Sequence, residues 1–250
     1  MFSDRTVVVT GGASGIGRAT VEVLACANAN VIVGDVDTRG GADVAEWARK
    51  QNMCVEYVPL DLTNMESITK FTEVVVARQS IYGLVNAAGW DQVEPFMENS
   101  RQTWERLLAI NLLGPITLTQ SILPKMIDAR EGRIVNVSSD AGRVGSMGET
   151  VYSATKGGII SFTKSLAREM ARYKINVNCV APGPTDTPLL RNQTNPFAAR
   201  VVEGLAAAIP FRRLAEPKEI AEGISFFLSS KSSFVTGQVL SVNGGLTMVG

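Results

Sequence analysis

The 250-residue chain contains no histidine. That absence removes the side chain that most often moves protons near neutral pH, and with it every Ser-His-Asp triad and every histidine-ligated metal site. Cysteine is scarce: Cys26, Cys54 and Cys179 form an odd set with no CxxC spacing. Their apolar or strand-like surroundings mark them as buried, reduced thiols, so neither disulfides nor a metal site is expected. Net charge is missing too. Lys plus Arg and Asp plus Glu number 24 each, so no overall field draws the chain to nucleic acid or to an anionic membrane. No run approaches the roughly 18 uninterrupted apolar residues of a membrane span, and the opening MFSDRTVVVT lacks the form of a signal peptide. These absences predict a cytoplasmic protein with neither a nucleic-acid nor a membrane partner.

What is present is an ordinary globular composition, 45% hydrophobic and 19% charged, long enough for one large α/β domain. Short β-branched runs at 6–10, 30–35, 54–58, 83–87, 133–138, 175–180 and 238–242 alternate with helical periods near 15–28, 39–51, 64–79, 101–128, 151–173 and 217–229. Several of the runs are apolar throughout, the signature of strands buried on both faces. The pattern predicts a Rossmann-type, doubly wound, seven-stranded parallel sheet with helices on both faces, one domain over 1–250. The ligand crevice then lies beyond the carboxyl ends of the strands. The segment 181–200 is polar and proline-rich and is expected to be irregular, part of a substrate lid at about 183–210.

The first run leads straight into TGGASGIG, residues 10–17, which opens a helix. Gly11, Gly15 and Gly17 would let backbone N–H groups approach a pyrophosphate, with Ser14 and Ile16 beside them. A tight strand-to-helix turn with no ligand has the same composition. About twenty residues on, Asp35 ends the second run, where a carboxylate can accept hydrogen bonds from ribose hydroxyls and repel a 2′-phosphate. Together with Ser14 in place of a basic residue, it favours NAD over NADP. Asp61-Leu62 and Asn86-Ala87-Ala88-Gly89 follow the third and fourth runs, on the same rim; Asp61-Leu62 can meet the adenine, although an isolated pair of this kind is more often a helix entry.

Near the fifth run, SSDAGRVGSMGETVYSATK brings serines, a tyrosine and a lysine together. Tyr152 and Lys156, four apart at the start of a helix, share one face, so the ammonium can favour the phenolate and make Tyr152 a general base in place of histidine. Ser139 ends the strand and can hydrogen-bond a substrate oxygen, although Ser138 and Ser139 also suit a turn or cap. Hydride transfer to a nicotinamide needs little more.

These motifs, with Asn111 in AINLLGP and Pro182-Gly183 in VAPGPTDT, resemble the short-chain dehydrogenase/reductase family and span almost the whole chain in family order. The resemblance implies Tyr152 as acid/base, Ser139 orienting the substrate oxygen, Lys156 tuning Tyr152 and holding the nicotinamide ribose, and Asn111 positioning a water in a proton relay. It adds Pro182, Gly183, Thr185 and Thr187 to the cofactor residues, keeps Asn86, Ala88 and Gly89, and implies a homotetramer. One departure is that the usual NNAG turn reads NAAG, so no side-chain role passes to Ala87.

Within the family, the segments NAAGWDQVEPF, SSDAGRVGSMGETVY, APGPTDTPLL and GQVLSVNGGLTM are most similar to 2-hydroxycyclohexanecarboxyl-CoA dehydrogenases and related alicyclic alcohol dehydrogenases. Trp90, Phe96, Val144, Met147, Leu189 and Leu190 can form an apolar wall for a ring, or serve as core or interface residues. Arg191, Arg200, Arg212 and Arg213 can reach the phosphates of a CoA ester or be solvated surface. The expected activity is NAD-dependent interconversion of a secondary alcohol and its ketone. Reduction of a 3-oxoacyl thioester is the alternative, and a non-catalytic dinucleotide-binding regulator is the alternative of another class.

Overall fold

The computed structural model describes residues 2–193 and 195–249. Seven strands, β1 (Thr6–Thr10), β2 (Asn30–Asp35), β3 (Val55–Pro59), β4 (Gly83–Asn86), β5 (Gly132–Val137), β6 (Ile175–Pro182) and β7 (Val239–Val242), form one parallel sheet in the order β3-β2-β1-β4-β5-β6-β7. The chain winds outward from β1 in one direction and from β4 in the other. A crevice therefore opens above the carboxyl ends of those two strands, where no crossover can cover it. Thr10, the last residue of β1, pairs with Gly34 on one side and with Asn86 on the other.

The apolar runs have the expected cause. Val7 and Val9 pack against α1 (Gly15–Cys26) through Val21 and Leu24, while the intervening Val8 faces the opposite layer. There it meets Phe71 of α3 (Met65–Val76) and, beyond α2 (Thr38–Lys50) and α4 (Arg101–Leu108) in chain order, Leu118, Ile122 and Met126 of α5 (Gly114–Ala129). Both faces of β1 are thus removed from water, so its three interior positions are all valine.

Helices α4 and α5 are one continuous rod, Arg101–Ala129, joined by a π turn over Ala109–Leu113. Pro115 has no N–H to give the carbonyl of Asn111 four residues earlier, and its ring crowds that carbonyl, so the ladder widens there. The rod is long and apolar enough to cross a membrane by length and composition, but Leu107, Leu118, Ile122, Leu123 and Met126 are buried in the protein, making it a core helix.

The remaining helices are α6 (Ala141–Val144), α7 (Thr150–Met170), α8 (Pro188–Arg191), α9 (Pro196–Ala208) and α10 (Pro217–Leu228). Two of them correct the expectation for 181–200, which is not irregular. Thr187 caps α8 by accepting from the Leu190 N–H at 3.4 Å, Asn195 caps α9 by accepting from the Ala198 N–H at 2.8 Å, and a proline follows each cap at the first helical position. Of the four prolines that suggested irregularity, Pro188 and Pro196 start helices. The cysteines are corrected as well: Cys179 is buried and burial pushes its thiol up to about 12, but Cys26 and Cys54 are exposed.

Candidate active site

A cavity of about 470 Å³ lies over the carboxyl ends of β1, β4 and β5. One end is built by the glycine turn. Gly11 has φ +69° and its N–H donates to the Gly34 carbonyl at 2.8 Å, and a Cβ on it would sit 2.6 Å from the Cα of Ala88. A Cβ on Gly17 would lie 2.0 Å from the Gly11 carbonyl oxygen, so only glycine lets the turn close and bring the first N–H groups of α1 to the cavity. Ser14 is the N-cap of α1 but makes no side-chain cap hydrogen bond, and Gly15 and Ile16 line the same wall.

Asp35 is aimed at this turn: one carboxylate oxygen accepts from the Ala13 N–H at 2.9 Å and the other from the Asp37 N–H at 3.0 Å. Asp61, Leu62, Ala88 and Gly89 continue the wall from the ends of β3 and β4, and Pro182, Gly183, Thr185 and Thr187 close it from β6 onward. A glycine-only cradle at a helix N-terminus, with a carboxylate beside it, fits the pyrophosphate and ribose of a dinucleotide.

Asn86 is buried at the end of β4 and is not on the cavity wall. Its amide is buried and turned into the sheet, donating to Thr119 Oγ1 at 3.0 Å and to Asn136 Oδ1 at 2.8 Å, while Asn136 donates to Thr163 Oγ1 at 2.9 Å. It ties β4 and β5 to the helices below them. The turn itself is held by Thr10, whose hydroxyl oxygen accepts from the N–H groups of Ala87 and Ala88, each at 3.1 Å.

At the other end, Ser139, Tyr152 and Lys156 share the wall. Ser138 and Ser139 separate by role: Ser138 is buried and donates to the Lys156 carbonyl at 2.8 Å, whereas Ser139 Oγ accepts from the Ala141 N–H at 3.1 Å and faces the cavity. Lys156 is buried, donates from Nζ to the Val137 carbonyl at 3.0 Å, and lies 5.5 Å from the centre of the Tyr152 ring. Burial lowers its pKa to about 8, opposed by Cys179 and Asp91.

In the free protein the Tyr152 pKa is raised, not lowered. Burial pushes the phenol well above its usual range, the carboxylates of Asp91 and Glu149 push it further, and the Ser139 hydroxyl beside it pulls the other way. Asn111 lies in the π turn between α4 and α5. Its side chain is buried behind the wall and clips the backbone of Trp90, accepting from its N–H at 3.0 Å and donating to its carbonyl at 2.7 Å. Gly89 leaves the room for this: a Cβ there would meet Asn111 Oδ1 at 3.3 Å and Lys156 Nζ at 3.5 Å.

Between Tyr152 and α9 the wall turns apolar, with Trp90, Val144, Leu189, Leu190, Val202 and Leu205. Met147 does not line the cavity and is 72% exposed, because the Gly145 and Gly148 bends, both at positive φ, carry it outward. Phe96 also lies away from the cavity, stacked on Trp104 at 5.8 Å. None of the four arginines lines it. Arg191 pairs with Asp186 through two bonds of 2.7 Å, Arg213 pairs with Glu219 at 2.7 Å, Arg212 donates to the Ala207 carbonyl, and Arg200 is exposed. Among the described residues no group of three Cys, Asp or Glu side chains could hold a metal ion.

Missed in the sequence were Asp91, Glu149 and Gln193, all on the wall. Gln193 latches the segment before α9 to the turn after β4, accepting from the Val93 N–H at 3.1 Å and donating to the Asp91 carbonyl at 3.1 Å. Nothing local marked these residues, since their partners are 58 to 102 positions away.

A parallel sheet with a glycine cradle at its switch point and a tyrosine, lysine and serine across one cavity defines a dinucleotide-dependent oxidoreductase of the α/β class. Residues 11–247 match the family described as enoyl-(acyl carrier protein) reductase. The chain is 40% identical over 241 residues to 3-oxoacyl-(acyl-carrier-protein) reductase of Aquifex aeolicus, covering 96% of each protein. It is also 40% identical over 250 residues to cis-4-hydroxycyclohexanecarboxylate dehydrogenase of Sinomonas cyclohexanicum, covering 99% of this chain and 98% of that protein. The crystal structure of levodione reductase superposes with a TM-score of 0.92 at 28% identity, covering 98% of both chains. The chain belongs to the short-chain dehydrogenase/reductase family, whose members use NAD or NADP, and is an oxidoreductase acting on a secondary alcohol or ketone.

Proposed function

We propose that the protein interconverts an alicyclic or aromatic secondary alcohol and its ketone with NAD as cofactor. The observation that carries the cofactor choice is Asp35, fixed against the glycine turn by the Ala13 N–H. A carboxylate there suits a ribose diol and repels a 2′-phosphate. Gly11, Ser14, Gly15, Ile16 and Gly17 would hold the pyrophosphate, Asp61 and Leu62 the adenine, and Lys156 the nicotinamide ribose. The bound cofactor would supply the hydride donor or acceptor.

Within this reading Ser139 donates its hydroxyl proton to the reacting oxygen and Tyr152 exchanges a proton with the same oxygen. A phenol whose pKa is raised holds its proton at neutral pH, so the free protein's electrostatics suit Tyr152 to protonating an alkoxide, the direction of ketone reduction. The apolar stretch from Trp90 to Leu205 suits a ring. The engaged or exposed arginines leave a CoA ester such as 2-hydroxycyclohexanecarboxyl-CoA without an evident phosphate site, whereas the 3-oxoacyl-(acyl-carrier-protein) reductase relative favours the thioester alternative. The segment 183–210 acts as the lid, and a cytoplasmic homotetramer completes the proposal, supported by the exposed Phe234, Leu240 and Met248.

The test is fluorescence titration with NADH and NADPH, followed by turnover of cyclohexanol-type alcohols and their ketones, free acids and CoA or carrier-protein thioesters. Tighter NADPH binding overturns the Asp35 argument. Turnover of thioesters alone favours the alternative. Tyr152→Phe must lose at least about a hundredfold in kcat while still binding NADH; full activity would refute the acid/base role. Binding of NADH with no turnover of any alcohol or ketone would point to the regulatory alternative.

A further inference from the structure

Two carboxyls in the cavity have no part in the chemistry above. Asp91 is buried at 9% exposure and lines the cavity beside the apolar wall, yet its Oδ1 has no hydrogen-bond partner. Its backbone is fixed from both sides, by Gln193 on its carbonyl and by the Asn111 clip on the preceding Trp90. Glu149 lines the same cavity from the N-cap position of α7. Glu149 is the N-cap of that helix but its side chain makes no cap hydrogen bond, so its carboxylate is free to meet Asp91.

Resting on the alcohol/ketone reading, we infer that Asp91 and Glu149 share one proton across the substrate cavity and select a substrate carrying a second, uncharged oxygen on the carbon next to the reacting one. Two carboxyls on the wall of one cavity cannot both ionise cheaply away from water. Burial and the Glu149 charge hold the Asp91 proton, pushing its pKa up to about 8, with the Gln92 backbone and Lys156 opposing. The other groups near it are neutral or engaged: Tyr152 is a phenol, Arg106 lies over the Trp90 ring at 4.2 Å, and Glu94 accepts from Gln92 and Asn99. The shared pair offers one O–H donor and several acceptors with one negative charge. A hydroxyl satisfies both functions and a ketone or thioester carbonyl accepts from the O–H, whereas a carboxylate meets the charge of Glu149. Asp91 and Glu149 both act on the Tyr152 phenol, so the selected oxygen lies close to the reaction centre.

The experiment compares kcat/KM of the wild-type protein and two variants for cyclohexanol, cyclohexane-1,2-diol and 2-hydroxycyclohexanecarboxylate. Wild type should prefer the diol to cyclohexanol by about tenfold, the worth of one buried hydrogen bond, and the carboxylate should rank last. Asp91→Ala should bring the diol preference close to one, chiefly through KM. Asp91→Asn, which keeps a neutral donor and acceptor, should retain the preference and lose its decline above about pH 8. The infrared C=O stretch of a protonated carboxyl should be present in wild type at neutral pH and absent in Asp91→Asn. An unchanged diol preference in Asp91→Ala, or no such stretch in wild type, overturns the inference. Failure of wild type to turn over any alcohol or ketone, with NADH bound, refutes the alcohol reading and not the shared proton, which the infrared band still decides.

Discussion

Replacing Lys156 by methionine should make the folded protein less dependent on pH, by an amount the site geometry sets. The ammonium is buried with one carbonyl partner, and its pKa falls from 10.5 to about 8. Between those values the unfolded chain binds the proton that the folded chain has released, so wild-type stability rises with pH there; below about pH 8 the whole penalty is present. At about 1.4 kcal/mol per pH unit the penalty is about 3 kcal/mol, of which about 2.5 kcal/mol is relieved between pH 7 and pH 10. Lys156→Met removes the titration. It also leaves the Val137 carbonyl without its donor, at about 1–3 kcal/mol, but that loss is the same at every pH and cancels when each protein is compared with itself. Urea denaturation at pH 7 and pH 10 should therefore show wild type gaining about 2.5 kcal/mol more than the variant. Parallel pH profiles would refute the assignment of a buried, destabilised ammonium. The same charge that costs stability is the one proposed to hold the nicotinamide ribose, so the variant should bind NADH more weakly.

Other outcomes follow from the same geometry. Gly17→Ala forces a Cβ against the Gly11 carbonyl, backbone against backbone, and should abolish NADH binding in a fluorescence titration while lowering Tm. Asn136→Ala breaks the Asn86–Asn136–Thr163 chain and orphans buried groups on both sides, costing about 2–4 kcal/mol by urea denaturation. Asp91 titrates in the opposite sense to Lys156. Its raised pKa means that the folded chain binds the extra proton between 3.8 and about 8, so stability declines as pH rises through that window. Asp91→Asn should remove this decline and be more stable than wild type at pH 8, as read by thermal or urea unfolding.

How much of the site was legible depends on how far apart its parts lie in the chain. The glycine turn, Asp35 and the Tyr152–Lys156 pair were readable because strand, turn and helix periods place them through neighbours a few residues away. Asn86 shares a strand end with Thr10 and Gly34, but which way its amide turns depends on Thr119 and Asn136, 33 and 50 residues off. The helices α8 and α9 had a local signal that was passed over, a capping Thr187 or Asn195 followed by proline. The π turn had one as well, in the four-residue step from Asn111 to Pro115.

By itself, then, the amino-acid sequence determined the alternation of buried strands and amphipathic helices, the switch-point crevice and the residue types along its rim, because hydrophobic period and turn chemistry are short-range. Tertiary structure alone decided the electrostatics. Lys156 faces the Val137 carbonyl across 19 positions, and Asp91 meets Glu149 across 58. Their pKa values, and that of Tyr152 between them, follow from burial and from which charges fold together, and neither is a property of spacing along the chain.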